Sequence, residues 1–197
     1  MHHMNRIVGI GVMSLFLALF SACAGVLQPT ACSAGAAEAE WIGVDIWVRA
    51  DLDRVQRELA CGAEVNATNE YGNTPLHYAA YRNEHAAVIE ALLEAGAAIH
   101  AKNNDGKTIL HFAAGNNESV AVIEALLEAG ADVNDRDAGG WTPLHWAAED
   151  NESAAVIEAL LEAGADVNAK NDDGNTPLDW AEIAANETPI GLLQRER

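Results

Sequence analysis

Basic residues are scarce in this chain, with 11 Lys and Arg against 30 Asp and Glu, which gives a formal net charge of −19. No two basic residues are adjacent, so the sequence offers no positive cluster that could bind phosphate groups. This excludes direct recognition of nucleic acid. The excess of carboxylates predicts a solvated, self-repelling surface on a soluble, monomeric protein. The alternative is that the acidity serves a basic partner.

Aromatic residues are also few, at 6% of the chain, although half of its residues are hydrophobic. The high apolar content excludes a disordered polymer. Much of that content is Ala, which favours short, closely packed helices.

Only one long apolar run without charge occurs, and it extends from Ile7 to Phe20. A membrane-spanning helix needs about 20 apolar residues, so this shorter run is typical of a signal peptide. Ser21-Ala22-Cys23 follows and resembles the lipobox of bacterial lipoproteins, although Phe20 stands where that family usually has Leu. We expect cleavage before Cys23 and lipid attachment to its thiol, so that this anchor is the protein's only contact with the outer membrane. The alternative is ordinary secretion, with cleavage after Ala24 and release into the periplasm.

A repeat of constant period occupies most of the chain. The motif GNTPLH at 72–77 recurs, with substitutions, at 106–111, 140–145 and 174–179. The units that begin at Gly72, Gly106 and Gly140 are identical at 19 of 34 positions, and each contains AVIEALLEAGA. TPLHxAA followed by LLEAGADVNA resembles the ankyrin repeat, whose usual unit is one residue shorter. The extra residue lies in the turn between the two helices of each unit.

The resemblance covers about residues 41–197 and implies an all-α ankyrin-repeat solenoid of stacked helix-turn-helix units with projecting loops. Local signals agree, because Thr74 and Pro75 suit the start of a helix and Gly96 suits its end. A single unit cannot bury its apolar face, so the units must stack. The predicted segments are a signal peptide (1–22), a flexible tether (23–40), an N-terminal capping repeat (41–71), three repeats (72–105, 106–139, 140–173) and a C-terminal capping repeat (174–197).

No catalytic, cofactor-binding or metal site is expected. His77, His111 and His145 recur in successive units, but stacked helices lie about 8–10 Å apart, too far for one zinc ion to bind two of them. The resemblance implies instead that each His bonds to the neighbouring Thr and to the backbone. An aromatic residue follows each of these histidines, and another follows Asp179, the equivalent position of the last unit. We expect these aromatic residues to pack in the core, with a ligand-binding stripe as the alternative. The aromatic residues are Tyr78, Phe112, Trp146 and Trp180.

Cys32 and Cys61 would both remain after lipidation of Cys23, and they could form a disulfide in an oxidising compartment. The alternative, which we favour, is that Cys61 merely fills a small position before Gly62, as Ala95 does in the next unit.

The resemblance implies a protein-binding module, because ankyrin stacks bind proteins through their loop tips and the concave face of their first helices. In this chain the second helix is almost copied between units, whereas the loop return and the end of the first helix diverge. Trp141 follows a Gly-rich loop and is expected to be an exposed ring, with packing onto the neighbouring repeat as the alternative. The predicted contact residues are Tyr71, Asn73, Tyr81, Arg82, Asp105, Lys107, Asn116, Trp141, Glu149 and Asp150. The alternatives are a structural envelope lipoprotein without a dedicated partner, or an accessory subunit of an enzyme.

Overall fold

The structure, a computed structural model, describes residues 51–196. Cys23, the predicted signal peptide and tether, and the start of the predicted N-terminal cap (41–50) lie outside the described residues. Within 51–196 there are nine helices and no strand. They are α1 (Leu52–Ala60), α2 (Pro75–Arg82), α3 (Ala86–Glu94), α4 (Ile109–Asn116), α5 (Val120–Glu128), α6 (Pro143–Asp150), α7 (Ala154–Glu162), α8 (Pro177–Ala184) and α9 (Glu187–Leu193).

The helices form two layers. The first helices of the units, α2, α4, α6 and α8, pack side by side in one layer, and α1, α3, α5, α7 and α9 form the second. This arrangement confirms the predicted all-α stack. None of the described helices is long and apolar enough to span a lipid bilayer.

A Thr directly precedes each first helix, and the side chain of the third helical residue accepts a hydrogen bond from the backbone N–H of that Thr. In α4 the Thr108 N–H donates to His111 Nδ1 at 3.1 Å, and the Thr108 hydroxyl lies 2.7 Å from the same nitrogen. Two second helices, α3 and α5, are followed by Gly96 and Gly130, with φ of 91° and 93°. Residues that carry a Cβ rarely adopt a backbone conformation with positive φ, so glycine is the residue that ends these helices.

The core lies between the two layers. In α5, Val122, Ile123 and Leu126 are fully buried, and Leu110 of α4 is 1% exposed. The equivalent residues of the units before and after repeat this pattern, so one continuous core runs along the stack.

Buried asparagines in two of the helix-to-helix turns each join one unit to the previous one. Asn117 is 2% exposed, and its Nδ2 donates to the carbonyl oxygens of Ala80 and Asn83, each at 3.0 Å. Asn151 makes the same two bonds to Ala114 and Asn117, at 2.8 and 3.0 Å. The turn that contains the extra residue of this repeat is therefore a contact between units.

Cys61, which follows α1, is disulfide-bonded. The interpretation of Cys61 as a mere filler of a small position is therefore wrong. The two other cysteines of the chain lie outside the described residues.

Candidate functional site: the inner-helix face

The three repeated histidines link the units. His111 Nδ1 accepts a hydrogen bond from the Thr108 N–H, so the proton of the neutral His111 ring must be on Nε2. Nε2 donates to the carbonyl oxygen of Trp141 in the next unit, at 3.0 Å. His77 and His145 make the equivalent bonds to the carbonyls of Lys107 and Asn175, at 3.3 and 3.1 Å. These are the Thr and backbone contacts that the family resemblance implies.

Burial keeps these imidazoles neutral. It lowers the pKa of His77 to about 4, although the bond to the Lys107 carbonyl acts in the opposite direction. Burial also lowers the pKa of His111 and of His145. Among the described residues no group of three or more His, Cys, Asp or Glu side chains is arranged to hold a metal ion.

The first helices carry apolar and aromatic side chains that are partly or fully exposed. We define the inner-helix face as the surface formed by Tyr81, Phe112, Trp146, Trp180 and Ile183. Ring contacts connect its first members, since the centroids of Tyr81 and Phe112 are 6.3 Å apart. Ile183 is 65% exposed and lies one turn after Trp180 on α8.

Sequence reasoning missed Ile183, although a signal was present. Ile183 occupies the same position of the repeat as Tyr81 and Glu149 do in earlier units. The divergence of this position between units therefore extends to the C-terminal cap and indicates Ile183.

Trp141 packs as a ring against two members of this surface. Its centroid lies 4.5 Å from that of Trp180 and 5.4 Å from that of Trp146, and the residue is only partly exposed. Lys107, the equivalent residue one unit earlier, places its Nζ 4.0 Å from the centre of the Trp146 ring. The expectation of a freely exposed Trp141 ring is therefore wrong, because the residue after the repeat glycine folds back over the aromatic ring of the next unit.

Trp141→Ala is expected to lower the free energy of unfolding by about 2 kcal/mol, because it removes a partly buried ring and its contacts with the Trp146 and Trp180 rings. Urea unfolding measures the change. Lys107→Ala is the matched control, since it deletes the equivalent contact of the previous unit, worth only about 0.5–1 kcal/mol. Equal losses in the two variants would contradict a packing role for the Trp141 ring.

The other predicted contact residues fall into three groups. Tyr71 and Asp105 are exposed in the projecting loops, with Tyr71 61% exposed. Asn73 is only 7% exposed, and its amide bonds to Tyr78 and Asn103 within the stack, so its predicted place on the contact surface is wrong. The remaining residues lie at or beside the ends of the first helices, exposed or partly exposed: Tyr81, Arg82, Lys107, Asn116, Glu149 and Asp150.

The ends of the first helices enclose charged grooves. Arg82, Asn116 and Asp150 line one groove of about 400 Å³. The Arg82 guanidinium carbon lies 5.4 Å from the centre of the Tyr81 ring. Burial raises the pKa of Glu149 and of Asp150, and Lys107 acts in the opposite direction on both.

A loop side chain supports the aromatic residue nine positions later. Asp137 Oδ2 accepts the Trp146 indole N–H at 3.1 Å, and Asn69 Nδ2 donates to the Tyr78 hydroxyl at 2.6 Å. In the last unit both groups are donors, and neither Asn171 Nδ2 nor Trp180 Nε1 has a hydrogen-bond partner.

Asn171→Asp is therefore expected to stabilise the protein, because it supplies the acceptor that Asp137 provides one unit earlier. A hydrogen bond to a charged group is worth about 1.5–3 kcal/mol, and desolvation of the carboxylate offsets part of it, so we expect a gain of about 1 kcal/mol at pH 7. Urea unfolding checks the value. Asn103→Asp is the control and should destabilise, since Phe112 has no donor and the bond from Asn103 Nδ2 to Asn73 is lost. A loss of stability in Asn171→Asp would show that the new carboxylate does not accept the Trp180 indole N–H.

Residues 48–137 and 122–193 match the family model described as ankyrin repeats (3 copies). The chain belongs to the ankyrin-repeat family. A search of curated proteins found no significant match. Ankyrin repeats generally mediate protein–protein interaction and are typically non-catalytic scaffolds. The matched residues include all the helices of the two layers, so the inner-helix face belongs to the ankyrin stack itself.

Proposed function

We propose that this ankyrin-repeat protein is an exported, non-catalytic module that binds a protein partner through its loop tips and its inner-helix face. One observation carries the proposal. The second helices are near copies of one another that bury the same apolar residues, whereas the first helices expose a different aromatic or charged side chain in each unit. Packing of the core explains why the second helices are near copies. The divergent side chains of the first helices are not needed for that packing and are available to bind a partner.

The side chains on this surface are of the kinds that dominate binding energy. Tyr, Trp and Arg are enriched among residues that contribute most to protein interfaces. Tyr71 at a loop tip and Arg82 at the end of α2 are exposed, and Trp146 and Trp180 are partly exposed. The module is proposed to act as a monomer, with no cofactor.

Export is supported by two features. The apolar run before Cys23 is typical of a signal peptide, and the Ser-Ala-Cys sequence suits lipidation. Cys61 is disulfide-bonded, and disulfides persist in oxidising compartments such as the periplasm. We propose a lipid anchor in the outer membrane, with a soluble periplasmic protein as the alternative.

Site-specific photo-crosslinking tests the binding function. A photoreactive amino acid at Tyr71 should form one discrete adduct in cells, identifiable by mass spectrometry. The same amino acid at Ala121, exposed on the second helix α5, should give none. No adduct from Tyr71, or equal adducts from both positions, would instead favour a structural envelope protein without a dedicated partner.

In cells grown with a fatty-acid probe, the wild-type chain should become labelled and the Cys23→Ser variant should stay unlabelled. Cys32→Ser is the matched control, because it removes another cysteine side chain without touching the cleavage site, and it should label like the wild type. Equal labelling of Cys23→Ser would exclude the anchor at this residue.

A further inference from the structure

A second groove lies at the C-terminal end of the stack, between the end of α6 and the turn from α8 to α9. Its volume is about 380 Å³. Four carboxylate side chains line it, and no Lys or Arg of the described residues does. The four are Glu149, Asp150, Glu152 and Glu187.

The inner-helix face ends beside this groove in an exposed apolar surface. Ala184 lines the groove, and the preceding residue, Ile183, is one of only two large hydrophobic side chains that are exposed in the described part of the chain. Ile183 is 65% exposed and follows Trp180 by three residues on α8, so both lie on one side of the helix. Nothing within residues 51–196 covers Ile183.

The charges at this end of the face are only partly compensated. Lys107 is the cation that acts on both Glu149 and Asp150, and its ammonium group lies over the Trp146 ring. Burial raises the pKa of both carboxyls, and Asp150 raises that of Glu149 further, so an additional cation would stabilise their ionised forms.

We propose that this end of the inner-helix face binds a basic, partly apolar segment of the protein partner, with a Lys or Arg side chain in the groove and an apolar side chain on Ile183. The proposal rests on the proposed function and names the chemistry of the partner. Charge complementarity selects this occupant, since opposite charges steer association and like charges oppose it. A second copy of the chain, which also carries a net charge of −19, would be repelled.

The test measures binding of a fluorescein-labelled peptide of alternating Lys and Leu to the full chain by fluorescence anisotropy. Two matched peptides replace every Lys with Glu or every Leu with Ser. The groove variant carries Glu149→Gln, Asp150→Asn, Glu152→Gln and Glu187→Gln. The control variant removes the same number of charges from the second helices, with Glu90→Gln, Glu94→Gln, Glu124→Gln and Glu128→Gln.

We expect the Lys-Leu peptide to bind more tightly than both matched peptides. The groove variant should weaken its binding about tenfold, and the control variant by no more than about twofold. Ile183→Ser leaves the charge unchanged and should weaken binding of the Lys-Leu peptide about fivefold, with no effect on binding of the Lys-Ser peptide. Circular dichroism checks that the variants are folded.

Equal losses in the groove and control variants would overturn the proposal, because binding would then follow net charge alone. Unchanged binding in the groove variant, or equal binding of the Glu-Leu peptide, would also overturn it. If the Tyr71 crosslink identifies a partner while the groove variant binds the Lys-Leu peptide like the wild type, the proposed function stands and this inference fails.

Discussion

Replacing Leu126 with Ala is expected to lower the free energy of unfolding by about 2–5 kcal/mol. Leu126 is fully buried in α5, which packs against α3 on one side and α7 on the other. Because units on both sides hold the backbone in place, the site cannot collapse to fill the lost volume, and a cavity remains. Urea unfolding followed by circular dichroism measures the loss.

Leu127→Ala is the matched control for this experiment. Leu127 is the next residue of α5 and is only partly buried, so its truncation should cost less than that of Leu126. The slope of the free energy of unfolding against urea concentration must be the same in all variants. A changed slope would mean that the stack of repeats no longer unfolds cooperatively, and the free energies could not be compared. A loss below about 1 kcal/mol for Leu126→Ala would show that the residue is not in the core.

Lowering the pH from 7.5 to 5 is expected to remove stability through the buried histidines. Their pKa values are lowered in the folded protein, so between the folded and unfolded values the unfolded chain binds more protons. Stability is therefore full above about pH 6.5 and is lost as the pH falls towards the folded value, about 4 for His77. His77 alone should cost about 2 kcal/mol at pH 5, with His111 and His145 adding to it.

The control is His77→Gln, whose side chain cannot gain a proton in this range. This variant should be less stable than the wild type at pH 7.5 and should lose less stability on acidification. Protonation of Glu149 and Asp150, whose pKa values are raised in the folded protein, acts in the opposite direction in both proteins. The difference between variant and wild type isolates the histidine. Identical pH dependence would contradict its buried, neutral state.

The fold was readable from the sequence because its signals are local and repeated. Thr108 and His111 are three residues apart and cap one helix, and Gly96 ends another through its own backbone conformation. Near-copies of one unit must stack on one another, since each has the same apolar face to bury. Pattern alone therefore determined the helix pairs, the period and the family.

The candidate site followed from the sequence only in part. Divergence between units identified Tyr71 and Arg82, which are exposed, but it also selected Asn73, which lies inside the stack. Divergence shows that a position is not required for the common packing, yet it does not separate a surface contact from a contact peculiar to one pair of units.

The sequence by itself determined what each unit is: its helices, its caps, its apolar face and the acidity of its surface. Only the tertiary structure decided which side chains of neighbouring units contact one another. Trp141 packs on Trp180 of the next unit, and Asn117 bonds to Ala80 of the previous one. Such contacts depend on the rotation of one unit against the next, so no pattern within a single unit specifies which divergent side chain is covered and which, like Ile183, remains exposed.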